Sequence, residues 1–273
     1  MMLAPRTTLL LSTALFLLLR HSPAFGAEPD IAGIIESRGL DPAAAALLIV
    51  RLDDDSEWSS GAERIDTRYS PASTAKIPHT LIALETGYAD NADMFFKWDG
   101  KSRFIREWNG DQTLASAYQN SVVWVYQAIT QAIGFETMAS WIRKLDYGNA
   151  DTGSEEDLTS YWLAGPLQIS AREQVHFLRR LVQLELPVAT DTLQKSKGIM
   201  RAETGDNWAL YAKTGWGLDE SGPDIGWYVG WVENEDTGTY VFALNLDVLS
   251  DDDLAKRKTT ARAVLTEFGA FGK

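Results

Sequence analysis

The sequence contains no cysteine, which excludes a disulfide framework, thiolate metal sites and cysteine nucleophiles. Histidine is scarce: His21, His79 and His176 are the three present, and none belongs to an HExxH or similar pair, so the chain does not read as a zinc hydrolase. Positive charge is in deficit, with 25 Lys and Arg against 38 Asp and Glu and a formal charge of −13. Nucleic acid is thereby excluded as a partner, because phosphate binding needs clustered cations. No repeat, low-complexity tract or long Gly/Ser/Pro linker divides the chain. What is there is ordinary globular material: 273 residues, 45% hydrophobic and 23% charged, which excludes wholesale disorder, collagen and coiled coil.

Residues 1–26 read as a cleaved signal peptide rather than as structure. Arg6 supplies the positive start, and the apolar run Leu9 to Leu19 is closed early by Arg20 and His21. That run is short for a bilayer span, so no stable membrane anchor is expected. Ala24-Phe25-Gly26 offers small residues at the positions a signal protease reads, with cleavage before Ala27. The remainder, 27–273, is expected to be one catalytic domain, periplasmic or secreted, and two charges more negative once Arg6 and Arg20 are gone.

Both ends of that domain read as sheet. Ala45 to Val50 is an apolar run closed by the turn Asp53-Asp54-Asp55. Trp227 to Val232 and Tyr240 to Leu246 flank Asn234 to Gly238, the pattern of a hairpin, and Trp208 to Lys213 precedes them as a further strand. The middle reads as helix over Pro78 to Thr86, Glu136 to Lys144 and Ser170 to Leu184, the last opening with Ser170 paired to Glu173 as a capping box. Leu254 to Phe268 is one more amphipathic helix. The expected fold is therefore α+β, an α/β sandwich in which both chain ends form one antiparallel sheet packed against helices, with a helical region inserted.

Ser73-Thr74-Ala75-Lys76 is the chain's only Ser-x-x-Lys. A spacing of three puts the Ser73 hydroxyl and the Lys76 amine on one helical face. Pro71 before them and an apolar run after them place Ser73 near a helix N-terminus, where an unpaired backbone N–H and the helix dipole favour developing negative charge. A nucleophile, a base and half an oxyanion hole would coincide there; a capping serine beside a solvated lysine is the plainer alternative. Lys213-Thr214-Gly215, also unique, ends a strand where glycine allows a ligand close to the backbone and Lys and Thr meet an anion. The two motifs together resemble the penicillin-recognising serine acyltransferases.

Within that group, Ser121-Val122-Val123 stands where other branches carry Ser-Asp-Asn or Ser-x-Asn. Glu155 to Thr159 mimics the deacylation motif of class A enzymes without its Asn, and reads as a solvated acidic turn. The ordered series Tyr69 to Lys76, Trp98-Asp99-Gly100, Gln119 to Val123, Tyr147-Gly148-Asn149, Trp162 to Leu167, Lys213 to Gly215 and Gly226 to Trp231 is similar to the class D serine β-lactamases over nearly the whole domain.

The resemblance implies hydrolysis of β-lactam antibiotics, hence resistance, through a serine acyl-enzyme. Ser73 would be the nucleophile, and Lys76, carrying CO2 as a carbamate, the general base; no metal or other cofactor is implied. Val123, Tyr126, Leu163 and Ala75 would line the carbamate pocket, with the Trp162 indole N–H as its donor. Ser121, tuned by Lys213, would pass a proton to the lactam nitrogen. The oxyanion hole would be the backbone N–H groups of Ser73 and Trp216. Thr214, Gly215 and an arginine, Arg257 or alternatively Arg262, would hold the substrate.

Two positions depart from the family. Ala75 replaces a residue that is usually aromatic, which would admit water and make the carbamate labile unless a neighbour compensates. His79 stands where Asn is common. A non-hydrolysing β-lactam sensor and a DD-peptidase-like penicillin-binding protein are the alternative readings. A small-molecule β-lactam is the implied partner, and the sequence does not distinguish monomer from homodimer.

Overall fold

The computed structural model describes residues 28–218 and 222–272; the segment 1–26, expected to be a signal peptide, lies outside the described residues. The strands are β1 (Ala45–Arg51), β2 (Ser56–Ser60), β3 (Phe95–Phe96), β4 (Gln112–Thr113), β5 (Arg201–Thr204), β6 (Trp208–Gly217), β7 (Asp224–Asn234) and β8 (Gly238–Val248). Six of them form one antiparallel sheet in the order β2-β1-β8-β7-β6-β5, and β3 pairs with β4 in a small ribbon. The helices are α1 (Ile31–Ser37), α2 (Ala62–Asp66), α3 (Lys76–Glu85), α4 (Leu114–Gln119), α5 (Val123–Ile133), α6 (Phe135–Leu145), α7 (Ala171–Val182), α8 (Thr190–Met200) and α9 (Asp251–Glu267). Strands from both ends of the chain thus meet in one sheet, with α2 to α8 inserted between β2 and β5.

Alternation along the strands splits the core into two layers. Ala45, Leu47 and Ile49 of β1 pack with Phe242 and Leu244 of β8 against Ile31 and Ile35 of α1 and Val264 and Leu265 of α9. Ala46, Leu48 and Val50 face the other way, joining Trp227, Val229 and Trp231 of β7 with Ile77, Leu81, Tyr126 and Leu178 of the inserted helices. Trp227 and Trp231 are buried, each removing a large apolar surface from water at roughly 25 cal/mol per Å². The sheet is therefore a partition, and its helix-rich side carries the Ser73-Thr74-Ala75-Lys76 motif described above.

The hairpin between β7 and β8 turns where its residues favour it. The Asn234 side chain accepts from the Asp236 and Thr237 N–H groups at 2.9 and 3.1 Å, and Gly238 takes a positive φ of 94°. Two helices begin earlier than their apolar spacing suggests. α3 starts at Lys76 rather than Pro78, because a proline in the first turn forgoes only an N–H that has no helical partner there. α9 starts at Asp251 rather than Leu254, because three aspartates in its first turn suit the positive end of the helix dipole.

Ser170 caps α7: its hydroxyl accepts from the Glu173 N–H at 3.2 Å, and Glu173 returns the bond to the Ser170 N–H at 2.9 Å. Ser170→Ala is expected to lower stability by about 0.5–2 kcal/mol, read as a lower urea midpoint with an unchanged denaturant slope. An unchanged midpoint would mean that α7 is held by its packing alone.

Candidate active site

The Ser73 turn is a single 3-10 turn, Ala72–Ala75, that runs straight into α3. Ala72 sits in the left-handed region at φ 47°, a conformation an alanine adopts only when its surroundings impose it. Four segments impose it. Tyr69 exchanges backbone bonds with Ile169 at 3.0 and 2.9 Å. The Ser70 hydroxyl donates to the Leu163 carbonyl at 3.0 Å, and the Trp227 indole donates to the Ser70 carbonyl at 2.9 Å. Gln174 donates to the Thr74 hydroxyl at 2.7 Å, and that hydroxyl donates back to the Pro71 carbonyl at 2.7 Å. β6 closes against the turn at Gly215, where a Cβ would come within 3.0 Å of the Pro71 carbonyl and 3.1 Å of Thr74 Cγ2.

Lys76 is fully buried, and its Nζ donates to Ser73 Oγ at 2.9 Å. Desolvation lowers its pKa from 10.5 to about 7, so a large share of the side chain is free amine at neutral pH. Its Nζ lies 5.1 Å from the centre of the Tyr126 ring. Ser121 follows α4 and, like Ala72, is left-handed, at φ 56°. Lys213, on β6, donates to Ser121 Oγ and to the Thr214 carbonyl, the latter at 3.1 Å. Burial first, then the positive charges of Lys76, Lys258 and Arg257, push the Lys213 pKa well below its ordinary value. Two serine hydroxyls are thus each paired with a lysine biased towards its neutral form.

Both pairs open onto one cavity of about 370 Å³, lined by Ser73, Ser121, Val123, Leu163, Thr214, Gly215, Trp216 and Arg257 among others. No Asp or Glu lines it among the described residues. Arg257 reaches it from α9, donating to the Gly215 carbonyl and, at 2.8 Å, to that of Leu254, and desolvation lowers its pKa to about 10. Gly226 makes this possible, since a Cβ there would lie 2.8 Å from Arg257 Cδ. Arg262 is held elsewhere, against Glu203 at 2.6 Å and over the Phe271 ring at 4.4 Å. Of the two arginines, only Arg257 lines the cavity.

Tyr126 and Trp162 lie behind the cavity wall, fully buried, and Ala75 is equally inaccessible, so the small side chain at 75 does not open the Lys76 pocket to solvent. The Trp162 indole N–H is buried without an acceptor among the described residues. Glu155 to Asp157 form a short exposed turn, as expected of a solvated acidic segment. Sequence reasoning missed three residues of the cavity rim: Phe104, Ile105 and Trp108. Phe104 and Leu218 are exposed large apolar residues, and they come from irregular segments where no periodicity marks them. The only signal for Phe104 and Trp108 was the aromatic density of residues 95–108.

A serine nucleophile with a lysine on the next turn, a second serine–lysine pair opposite and a backbone strand alongside define a serine acyl-transfer site. The family described as the penicillin-binding protein transpeptidase domain matches residues 47–266. β-Lactamase OXA-2 of Salmonella typhimurium is 45% identical over 209 residues, 76% of this chain and 73% of that protein. β-Lactamase OXA-48 of Klebsiella pneumoniae is 39% identical over 210 residues, 77% of this chain and 78% of that one. Among solved structures, the class D β-lactamase YbXI from Nostoc superposes with a TM-score of 0.84 at 36% identity, covering 88% of this chain and 98% of its own. The chain belongs to the class D β-lactamases.

Burying Lys76 has a measurable cost. Below its folded pKa of about 7 the amine is charged in both folded and unfolded chains, and the cost is complete. Between that pH and 10.5 the unfolded chain binds more protons, so stability rises with pH until the cost is gone. Lys76→Met should therefore raise stability by about 4–5 kcal/mol at mildly acid pH, a gain that fades towards pH 10.5. Thermal midpoints against pH, in CO2-free buffer, read it. A pH-independent difference would show that the buried amine is not the source.

Proposed function

We propose that the protein hydrolyses β-lactam antibiotics through an acyl-enzyme on Ser73, with Lys76 as general base, and so confers resistance on its host. The observation that carries this reading is the 2.9 Å bond between Lys76 Nζ and Ser73 Oγ in a fully buried setting. Desolvation there makes the amine a proton acceptor at neutral pH. Ser73 Oγ loses its proton to the Lys76 side chain as it attacks the lactam carbonyl, and the oxyanion that forms is met by the backbone N–H groups of Ser73 and Trp216. Ser121 gives its proton to the lactam nitrogen as the ring opens and takes up in exchange the one that the Lys76 side chain received, and Lys213, on the same hydroxyl, holds it in position. Thr214 and Arg257 take the substrate carboxylate. Water then attacks the ester, its proton passing to the freed Lys76 side chain and from there to Ser73 Oγ as the acyl bond breaks.

The residues around Lys76 suit a carbamate. A free amine adds to CO2 and releases one proton, and the Trp162 indole N–H, buried without an acceptor among the described residues, is a donor that an anion would satisfy. Tyr126, Val123 and Leu163 supply the apolar surround. Bound there, CO2 would supply an oxyanion that can take a proton without leaving a cation buried in the pocket. Export after removal of 1–26 would leave 27–273 as the working domain, periplasmic or secreted; no helix among the described residues is long and apolar enough to cross a membrane.

Intact mass spectrometry with a slowly hydrolysed β-lactam should show one adduct, absent in Ser73→Ala; an adduct that survives the substitution would overturn the assignment of Ser73. Turnover of a chromogenic cephalosporin separates a hydrolase from a sensor, which would acylate and stop. Arg257→Ala should lower kcat/KM about 10- to 150-fold, the worth of one charge-assisted bond. Gly226→Ala, which pushes on the same guanidinium stem, should raise KM in the same direction by less. An unchanged kcat/KM in Arg257→Ala would remove Arg257 from the carboxylate site.

A further inference from the structure

His79 is fully buried beside the reacting groups, and the scheme above leaves it without a part. It lies three residues beyond Lys76 on α3, and four beyond Ala75, so all three share one helical face. Its Nε2 is hydrogen-bonded to the Tyr161 hydroxyl at 2.6 Å, while Nδ1 has no partner among the described residues. An apolar side chain in this volume would remove the unpaired Nδ1 but take away the hydrogen bond of the buried Tyr161 hydroxyl, so the imidazole is one half of a polar pair and not packing alone. It is no proton carrier at neutral pH: burial, and then the charge of Lys76, push its pKa down to about 3. What it offers is geometry.

That geometry converges on Trp162. The His79 ring meets the Trp162 ring edge-on, with centroids 4.7 Å apart and planes at 86°. The Tyr161 ring meets Trp162 at 5.0 Å and 79°. Because His79 and Tyr161 are themselves hydrogen-bonded, the three rings close a triangle in which the indole has little freedom to turn. On the far side, the His79 ring lies 6.3 Å from that of Tyr126, the residue over which Lys76 Nζ sits. Ala75 contributes only a methyl group to the same face, so the work of ordering this wall falls on residues other than 75.

We propose that His79, locked to Tyr161, is a positioning residue that holds the Trp162 indole N–H ready for the carbamate on Lys76 and compensates for the small side chain of Ala75. The inference rests on the reading of Lys76 as a carbamylated base. His79 touches no substrate; it acts through Trp162. Loss of the His79–Tyr161 bond should free the indole and weaken retention of CO2, while the groups that act on the β-lactam stay in place.

The test uses the mature protein and its His79→Leu, His79→Gln and Tyr161→Phe variants. CO2 is stripped at mildly acid pH, the protein is returned to neutral pH, and ¹³C-bicarbonate is titrated in. Initial rates on a chromogenic cephalosporin and the ¹³C carbamate signal are read together. The bicarbonate concentration for half-maximal rate and signal should rise about tenfold in His79→Leu, and less in Tyr161→Phe, with rates at saturating bicarbonate within about threefold of the parent. His79→Gln, which can still bond Tyr161, should recover most of the loss. A bicarbonate response unchanged in both His79→Leu and Tyr161→Phe overturns the proposal, as does a rate loss that bicarbonate cannot restore. Should His79→Leu not fold, Tyr161→Phe decides. Absence of any carbamate signal in the parent overturns the reading of Lys76 itself, an outcome distinct from the other two.

Discussion

Two lysines buried within one cavity wall, with no Asp or Glu lining that cavity among the described residues, are the constraint around which the site is arranged. Withdrawing an ammonium group from water without a counter-ion costs several kcal/mol, a large part of the 5–15 kcal/mol by which a domain of this kind is stable. Burial biases both amines towards the neutral form, the form that can take a proton from a serine hydroxyl. The same desolvation that weakens the fold makes the chemistry available. It also explains why the surroundings are so heavily built. A turn carrying a left-handed alanine, tied by Ile169, Leu163, Trp227 and Gln174, resists the collapse or hydration that would relieve Lys76.

The parts of this arrangement legible in the sequence are those whose meaning is local. Ser73 and Lys76 are three residues apart, and Lys213-Thr214-Gly215 is a contiguous strand end, so spacing alone places their side chains. The hairpin at Asn234 to Gly238 and the capping box at Ser170 are equally short-range. Arg257 and Arg262 show where locality ends: both lie on one helix, five residues apart, and only the presence of Gly226 opposite one and Glu203 beside the other separates their fates. The pairing of His79 with Tyr161 spans 82 positions and joins a helix to an irregular segment, so nothing in either neighbourhood announces it. The left-handed backbone of Ser121 is likewise invisible, because serine has no intrinsic need for that conformation.

The charge distribution runs against the site. A chain with a net charge of −13 places the Arg257 guanidinium on the cavity wall, and the low-dielectric surroundings concentrate its field at the mouth. The apolar rim at Phe104, Ile105, Trp108 and Leu218 adds a surface that can cover an uncharged part of a ligand while its anionic part is drawn inward. Binding polarity is thus set by the fold before any catalytic group is engaged.

β1 lies between β2, its hairpin partner, and β8, whose pairing joins Ala45 to Leu246. Until the last strand is in place, β1 has one edge unpaired. Contacts this distant in the chain form slowly, because a long loop must close before any of them is made. A growing or truncated chain therefore exposes a sticky strand edge and possesses no assembled Ser73 turn, since Trp227 arrives late. Completion of the Ser73 turn thus waits on an indole that lies 157 positions beyond the Ser70 carbonyl it meets.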